Sequence, residues 1–241
     1  MVTPFTYFDL VDAFTQPGCA ICHLLQRDAE RSLDALLYEY VNDPEVRAAF
    51  RARRGLCNEH SWQLASHTGN LLGIVLLYRG VIDEVLTAFR QTLPQPPPAE
   101  DASVGWLRNL PRQAIHALNR ALQPVRKCTI CESLAGAEGQ YLQVLSEYAT
   151  DEKLLKAYRE SDGLCLPHFR KMLKTTQTLD RSALLVSVQY SIWSRLYADL
   201  QEFIDKSDYR RISEAKGVEG DSWRRAIRGT AGEEGVFGKD T

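Results

Sequence analysis

The sequence has no long hydrophobic run and no excess of one charge. Its longest apolar stretch, Leu71 to Tyr78, is far shorter than the ~18 residues of a membrane-spanning helix. The N-terminus lacks the basic segment and apolar core of a signal peptide. A formal net charge of −2 disfavours general nucleic-acid binding. These absences predict a cytoplasmic protein that spans no membrane and for which nucleic acid is not an expected partner.

Catalytic signatures are missing too. The chain has no phosphate-cradling glycine loop, no nucleophile elbow and no HExxH zinc motif. Apolar and polar residues never alternate for long enough to indicate a β-strand. The hydrophobic fraction of 44% and the charged fraction of 25% are ordinary for a globular protein. The sequence therefore predicts an all-α fold and identifies no catalytic residue and no organic cofactor site.

Cysteine is scarce, and all six cysteines belong to a repeated pattern. In each copy a CxxC pair is followed by a CxxH pair, after 34 intervening residues in the first copy and 33 in the second. The first copy consists of Cys19, Cys22, Cys57 and His60, and the second of Cys128, Cys131, Cys165 and His168. Two of the five histidines complete the pattern, which is the strongest functional signal in the chain.

These residue types and spacings indicate metal binding. A CxxC pair in the first turn of a helix directs two sulfurs to one point, and the free N–H groups there favour thiolate. Residues three apart in a CxxH pair also share a helix face. We expect two such helix N-termini within each copy to face each other and to hold one tetrahedral zinc ion, giving two zinc ions per chain.

Three other interpretations stay open. An iron–sulfur cluster in each repeat would make the protein an electron carrier or oxidant sensor, although histidine ligation of clusters is the minority case. Buried apolar cysteines would leave the repeated histidine unexplained. A thiol–disulfide pair is typical of a βαβ setting, which the sequence does not predict. Catalytic zinc is disfavoured, because it keeps a coordination position open.

The repeat predicts the domain organisation. Residues 1–93 form the first metal-binding helical repeat, 94–124 a proline-rich linker with a connecting helix, and 125–206 the second repeat. Residues 207–241 form a tail with a short helix, partly disordered. We expect a tandem duplication of a four-helix unit arranged as a pseudo-twofold bundle.

Helical periodicity places the elements of each copy. In the first copy we expect helices at Cys19–Val41, Pro44 to about Arg54, Cys57–His67 and Asn70–Leu93. In the second copy we expect them at Cys128–Ala149, Asp151–Arg159, Cys165–Lys174 and Ser182–Ile204. Asp43 is a favourable N-cap and Gly55 a favourable C-terminal stop, which Gly163 repeats.

The last helix of each copy is apolar on more than one face, which is typical of a helix at the centre of a bundle. We therefore expect Asn70–Leu93 and Ser182–Ile204 to pack against each other. The alternatives are that these faces form a homodimer interface or line a pocket for an apolar ligand. In the tail, Trp223 and Ile227 are spaced to dock the short helix on the body.

The duplicated CxxC…GLCxxH pattern, together with Asp208-Tyr209-Arg210 and Ser222-Trp223-Arg224-Arg225-Ala226, resembles an uncharacterised prokaryotic family built on a domain of unknown function. The resemblance covers nearly the whole chain and supports the metal sites, but it implies no activity, substrate or partner. Our leading interpretation is a non-catalytic interaction or regulatory module with two structural zinc sites, which would bind an unidentified protein partner.

Overall fold

The helices of this chain follow one another with no strand between them in the residues that the structure describes. The structure is a computed structural model and describes residues 4–93, 111–176, 178–211 and 213–237. The helices are α1 (Phe5–Ala13), α2 (Ala20–Tyr38), α3 (Pro44–Ala52), α4 (Asn58–Ala65), α5 (Leu71–Thr92), α6 (Arg112–Leu122), α7 (Thr129–Glu147), α8 (Glu152–Glu160), α9 (Leu166–Thr175), α10 (Leu179–Asp205) and α11 (Ser222–Ala231). Short 3-10 turns cover Thr68–Asn70 and Val218–Asp221. The predicted all-α class is confirmed.

The chain divides into two compact units. The terminal unit combines Met1–Asp28 with Leu134–Thr241, and the central unit is Ala29–Ser133. Helix α2 begins in the terminal unit and ends in the central unit. Helix α7 begins in the central unit and ends in the terminal unit. Each unit therefore draws on both sequence copies, whereas the predicted boundaries of 1–93 and 125–206 follow the repetition of the sequence.

Local sequence fixes several helix ends as predicted. Asp43 Oδ1 accepts hydrogen bonds from the N–H groups of Glu45 and Val46, at 2.8 and 3.0 Å, and Pro44 occupies the first turn. Asp151 caps α8 in the same way, accepting from Leu154 N at 3.0 Å. These caps place the short second helix of each copy, α3 or α8, directly before a CxxH segment.

A polar network inside the terminal unit positions the turn before Cys165. Gly163 has a φ of +82°, which only glycine adopts readily. The fully buried Gln189 side chain accepts a hydrogen bond from Leu164 N at 2.9 Å and from Tyr158 Oη at 2.6 Å. Buried polar groups that are paired in this way fix one arrangement of the chain. The turn therefore fixes the position of Cys165.

The prediction that α5 lies at the centre of a bundle, buried on more than one face, is wrong in part. Leu77 and Val81 are buried, but five apolar side chains on other faces of α5 are exposed. These are Leu71, Leu72, Val75, Ile82 and Leu86. Within the central unit α5 packs on α3 and α6, which cover only part of its circumference. The packing of α5 against α10, which lies in the terminal unit, stays a prediction.

Two features were not anticipated. Helix α1 was not among the predicted helices, and its Tyr7 hydroxyl donates to Asp151 Oδ1 at 2.6 Å. Helix α11 docks through polar contacts, with Arg225 Nη1 2.9 Å from Asp199 Oδ2, whereas Trp223 and Ile227 are 47% and 56% exposed. Short amphipathic segments can dock by either kind of contact, and their spacing alone does not distinguish them.

None of the helices in the described ranges is long and apolar enough to cross a lipid bilayer.

The connecting helix that the sequence predicts at Trp106–Leu122 is observed as α6 from Arg112 onward. Residues 106–110 of the predicted helix lie outside the described part of the chain.

Candidate metal centres

The eight repeated cysteines and histidines gather into two groups of four. Centre 1, in the terminal unit, consists of Cys19, Cys22, Cys165 and His168. Centre 2, in the central unit, consists of Cys57, His60, Cys128 and Cys131. Within each group all four donor atoms lie within 4.8 Å of one another. Each centre is therefore a complete Cys3His set.

The expected pairing within each copy is wrong. Centre 1 joins the CxxC of the first copy to the CxxH of the second, and centre 2 does the reverse. The cause is the direction of the long helices. Helix α2 starts at its CxxC pair and leads out of the terminal unit, so the next CxxH pair along the chain lies in the central unit. Helix α7 has the same effect on the second copy.

Two helix N-termini build centre 1. Cys19 and Cys22 lie at the start of α2, and Cys165 is the N-cap residue of α9, with His168 in its first turn. His168 Nδ1 lies 3.4 Å from the sulfurs of Cys19 and Cys22 and 3.2 Å from that of Cys165. The Cys22 and Cys165 sulfurs are 3.8 Å apart. All four residues are buried, at 0–2% exposure.

The electrostatics of centre 1 fit a bound cation. Although burial opposes ionisation, hydrogen bonds from Cys165, Cys22 and His168 hold the pKa of the Cys19 thiol well below its usual range. Hydrogen bonds with Cys165 and Cys19, together with burial, raise the pKa of Cys22. The crowded thiols thus cannot all ionise beside one another, whereas a dication at their midpoint would stabilise every thiolate. The donor set suits zinc or another soft divalent metal.

A partly buried carboxylate orients the histidine of centre 1. Glu138 Oε1, on α7, lies 2.9 Å from His168 Nε2, and its side chain is 14% exposed. Lys171 Nζ donates to both Glu138 oxygens, at 2.7 and 2.8 Å. Burial raises the pKa of the Glu138 carboxyl, but the contacts with His168 and Lys171 outweigh burial, and the pKa is lowered. An anionic Glu138 keeps the imidazole hydrogen on Nε2, which leaves Nδ1 free to bind a metal.

Centre 2 has the same plan with a more open setting. Cys57 is the N-cap residue of α4 and His60 lies in its first turn, while Cys128 and Cys131 lie at the start of α7. His60 Nδ1 is 3.1, 3.4 and 3.7 Å from the sulfurs of Cys57, Cys131 and Cys128. The Cys57 and Cys131 sulfurs are 3.7 Å apart. Cys57 and Cys131 are partly exposed, unlike any donor of centre 1.

The chain is similar to known sequences along nearly its whole length. A family model described as "Family of unknown function (DUF6062)" matches residues 1–235. The chain belongs to this family. An uncharacterized 23.9 kDa protein in the xynA 3' region of Caldicellulosiruptor sp. (strain Rt8B.4) is 26% identical over 225 residues, which is 92% of this chain and 99% of the relative. No solved structure matches the chain.

In this DUF6062 protein an arginine fixes the approach to centre 2. Arg53 Nε donates to Lys127 O at 2.9 Å, and its Nη2 lies 2.9 Å from Glu132 Oε2. The arginine side chain is 11% exposed, whereas that of Glu132 is 45% exposed, so the contact with Glu132 is open to water on the glutamate side. They hold the two ends of the second CxxC segment against the end of α3. Burial and these contacts give Arg53 a positioning role for Cys128 and Cys131.

Ionisation at centre 2 follows the same rule as at centre 1. Burial opposes ionisation of the Cys128 thiol. Hydrogen bonds with His60 and with backbone N–H groups outweigh burial and lower the pKa of Cys128 to about 6. Burial, and then the charge of Cys128, raise the pKa of Cys131. A cation among the donors would remove that repulsion.

Sequence reasoning missed Glu138, Lys171 and Arg53. All three lie outside the repeated motif. Lys171 follows His168 by three residues and Arg53 precedes Cys57 by four, whereas Glu138 reaches centre 1 from α7. A glutamate in a helix that also carries a CxxC pair is a weak signal by itself. Only the position of His168 beside it identifies its role.

Proposed function

We propose that the protein is a non-catalytic zinc protein in which two zinc ions tie helix N-termini together, in the cytoplasm, where thiols stay reduced. The observation that carries this proposal is the spacing of the donors. A tetrahedral zinc ion with Zn–S distances of ~2.3 Å separates its sulfurs by about 3.8 Å. The measured separations are 3.8 Å in centre 1 and 3.7 Å in centre 2.

The same spacing disfavours the alternatives. The ligands of an iron–sulfur cluster bind different iron atoms and therefore lie farther apart than ligands of a single ion. Four protein donors leave no open position for a substrate or water, as catalytic zinc requires. The ion would supply binding free energy that holds buried, distant segments together, which is a structural role.

We also propose that the chain is a tandem duplication whose copies exchanged their CxxH segments. Helices α2 and α7 are both 19 residues long, and α3 and α8 are both 9. Gly55 and Gly163 both have positive φ values, of +92° and +82°. The exchange between copies is reciprocal, which a pseudo-twofold arrangement requires.

Metal content tests the zinc proposal. Protein purified without a metal-affinity tag is expected to contain about two zinc ions per chain, because the chain offers two four-donor sets. Elemental analysis measures the ratio, and a visible spectrum distinguishes zinc, which is colourless, from an iron–sulfur cluster, which is brown. A reproducible ratio near zero, or two clusters per chain, would overturn the proposal.

The exposed face of α5 supports an interaction role. Leu72, Val75, Arg79, Ile82 and Leu86 follow one another at alternating intervals of three and four residues, and all are exposed. We call this row the α5 stripe. Such spacing packs against a second helix with the same spacing. We propose a second copy of this chain as the partner, because one stripe meeting another gives the self-complementary contact of a twofold dimer.

A matched pair of substitutions on α5 tests the dimer. Leu72→Asp combined with Ile82→Asp is expected to give a folded, metal-loaded monomer, because both side chains are more than half exposed, at 69% and 56%, and contribute little to the fold of one chain. Leu77→Asp is the control and is expected to unfold the protein, because Leu77 is 2% exposed and a buried carboxylate costs several kcal/mol. Sedimentation across a concentration series gives the oligomeric state. A monomeric wild type at every concentration would contradict the proposal.

A further inference from the structure

The two centres have the same donors but differ in access. In centre 1 the three cysteines are at most 2% exposed and His168 is fully buried. In centre 2 both Cys57 and Cys131 are partly exposed, and only Cys128 and His60 are buried. A thiolate reacts with a dissolved oxidant only where the oxidant can reach its sulfur. The two centres have the same donor residues, but a dissolved oxidant reaches only centre 2 directly. We therefore expect centre 2 to react faster.

The C-terminal segment Gly232–Phe237 explains why centre 1 is closed. The Phe237 ring lies over His168 with 4.8 Å between ring centroids, and Lys171 Nζ lies 5.6 Å from the centre of the Phe237 ring. Gly232, with a φ of +88°, passes so close that a Cβ there would lie 3.4 Å from Cys22 Sγ. Gln26 Nε2 anchors the segment by donating to Glu234 O at 2.9 Å. This segment covers both the histidine and one thiol.

The two partly exposed cysteines of centre 2 form a pair that a disulfide could join. Cys57 is the N-cap residue of α4 and Cys131 lies in the first turn of α7, and their sulfurs are 3.7 Å apart. A disulfide needs a separation of ~2.05 Å, so the two side chains must approach by roughly 1.7 Å. Cys57 lies in the segment between α3 and α4 rather than inside a helix, which allows that movement.

We propose that Cys57 and Cys131 are a thiol-oxidation site for small hydroperoxides, and that oxidation there releases the metal of centre 2 while centre 1 keeps its own. The inference rests on the proposed zinc function. One thiolate attacks the O–O bond, an S–O bond forms, and the departing hydroxide takes a proton from solvent to become water. The second thiolate then attacks that sulfur, the S–O bond breaks, and a second protonated hydroxide leaves as water.

In sum two thiolates lose two electrons, and one hydrogen peroxide with two protons becomes two waters. Two of the four donors are then consumed. The remaining Cys128 and His60 no longer hold the ion tightly, because a closed zinc site needs four ligands. A thiol reductant reverses the disulfide and restores the donor set.

Hydrogen peroxide added to the two-zinc protein tests the inference. We expect one zinc ion to reach a chromophoric chelator on the order of tenfold faster than the second, because only one centre is open to the oxidant. Peptide mass spectrometry at the end of the fast phase is expected to find a disulfide between Cys57 and Cys131, with the centre 1 thiols still reduced. Equal release rates, or first oxidation of Cys19, Cys22 or Cys165, would overturn the inference.

Phe237→Ala is the matched variant. It opens centre 1 without replacing any of the four donor residues, so the slow phase is expected to approach the fast one while the fast phase is unchanged. Thermal melting in the absence of peroxide checks that the variant is folded, and Phe8→Ala, at an exposed aromatic of the same unit, is the control that should change neither phase. A protein without zinc would refute the proposed function, whereas two zinc ions that are both inert to peroxide would refute this inference alone.

Discussion

A chain carrying Cys22→Ser and Cys165→Ser is expected to keep one zinc ion, whereas a chain carrying Cys22→Ser and Cys57→Ser is expected to keep none against a competing chelator. The first pair of substitutions lies wholly in centre 1 and leaves centre 2 complete. The second pair removes one thiolate from each centre, so neither retains four donors. Both variants lose two cysteines, so the number of thiols cannot explain a difference between them.

The measurement is zinc per chain by elemental analysis, after dialysis against a chelator that leaves the wild-type protein loaded. Pairing within each sequence copy predicts the opposite result, because Cys22 and Cys57 would then share one site. Retention of one zinc ion by the Cys22→Ser and Cys57→Ser chain would therefore contradict the exchanged pairing.

Sequence reasoning identified the eight residues that the structure gathers into two groups, but not which residues share a group. The spacing of CxxC and CxxH shows that each pair lies at a helix N-terminus, and this is a local property. Which CxxH meets which CxxC depends on where α2 and α7 lead the chain, and that is a property of tertiary packing. The motif intervals of 34 and 33 residues are compatible with either arrangement.

Helix ends were predictable because they depend on local interactions, whereas the pairing depends on tertiary packing. Asp43, Asp151, Gly55 and Gly163 act through their own backbone neighbours, so the sequence around them determines the result. Helix α5 shows the limit of the apolar pattern. Its hydrophobic faces predict burial, but α3 and α6 cover only part of the helix in the central unit.

The tail was the least predictable part. Phe237 covers His168, and Glu219, which is 4% exposed, pairs with Lys206 at 2.8 Å. Neither contact is marked by a periodic pattern, because each joins single residues from separate segments. The tail was predicted to be partly disordered, whereas Gly232 has a φ of +88° and a Cβ there would collide with the Phe237 ring.

Cys165→Ser is expected to lower the melting temperature by on the order of 10 °C or more, because a structural zinc site contributes several kcal/mol or more to folding and 1 kcal/mol shifts the melting temperature by roughly 2–4 °C at this size. Cys165 is fully buried in the core of the terminal unit. It meets Cys22, 143 residues away in sequence, so losing the site releases a large closed loop.

Leu164→Ala separates loss of the metal from loss of packing. Leu164 is also fully buried and is the neighbour of Cys165, and truncating a buried leucine costs about 2–5 kcal/mol. Melting curves are recorded for wild type and both variants, with zinc and after chelation. The deficit of Cys165→Ser should disappear after chelation, when wild type has lost the same site, whereas the deficit of Leu164→Ala should remain. A Cys165→Ser protein that lacks one zinc ion yet melts like wild type would show that centre 1 does not stabilise the fold, and would make it a functional rather than a structural site.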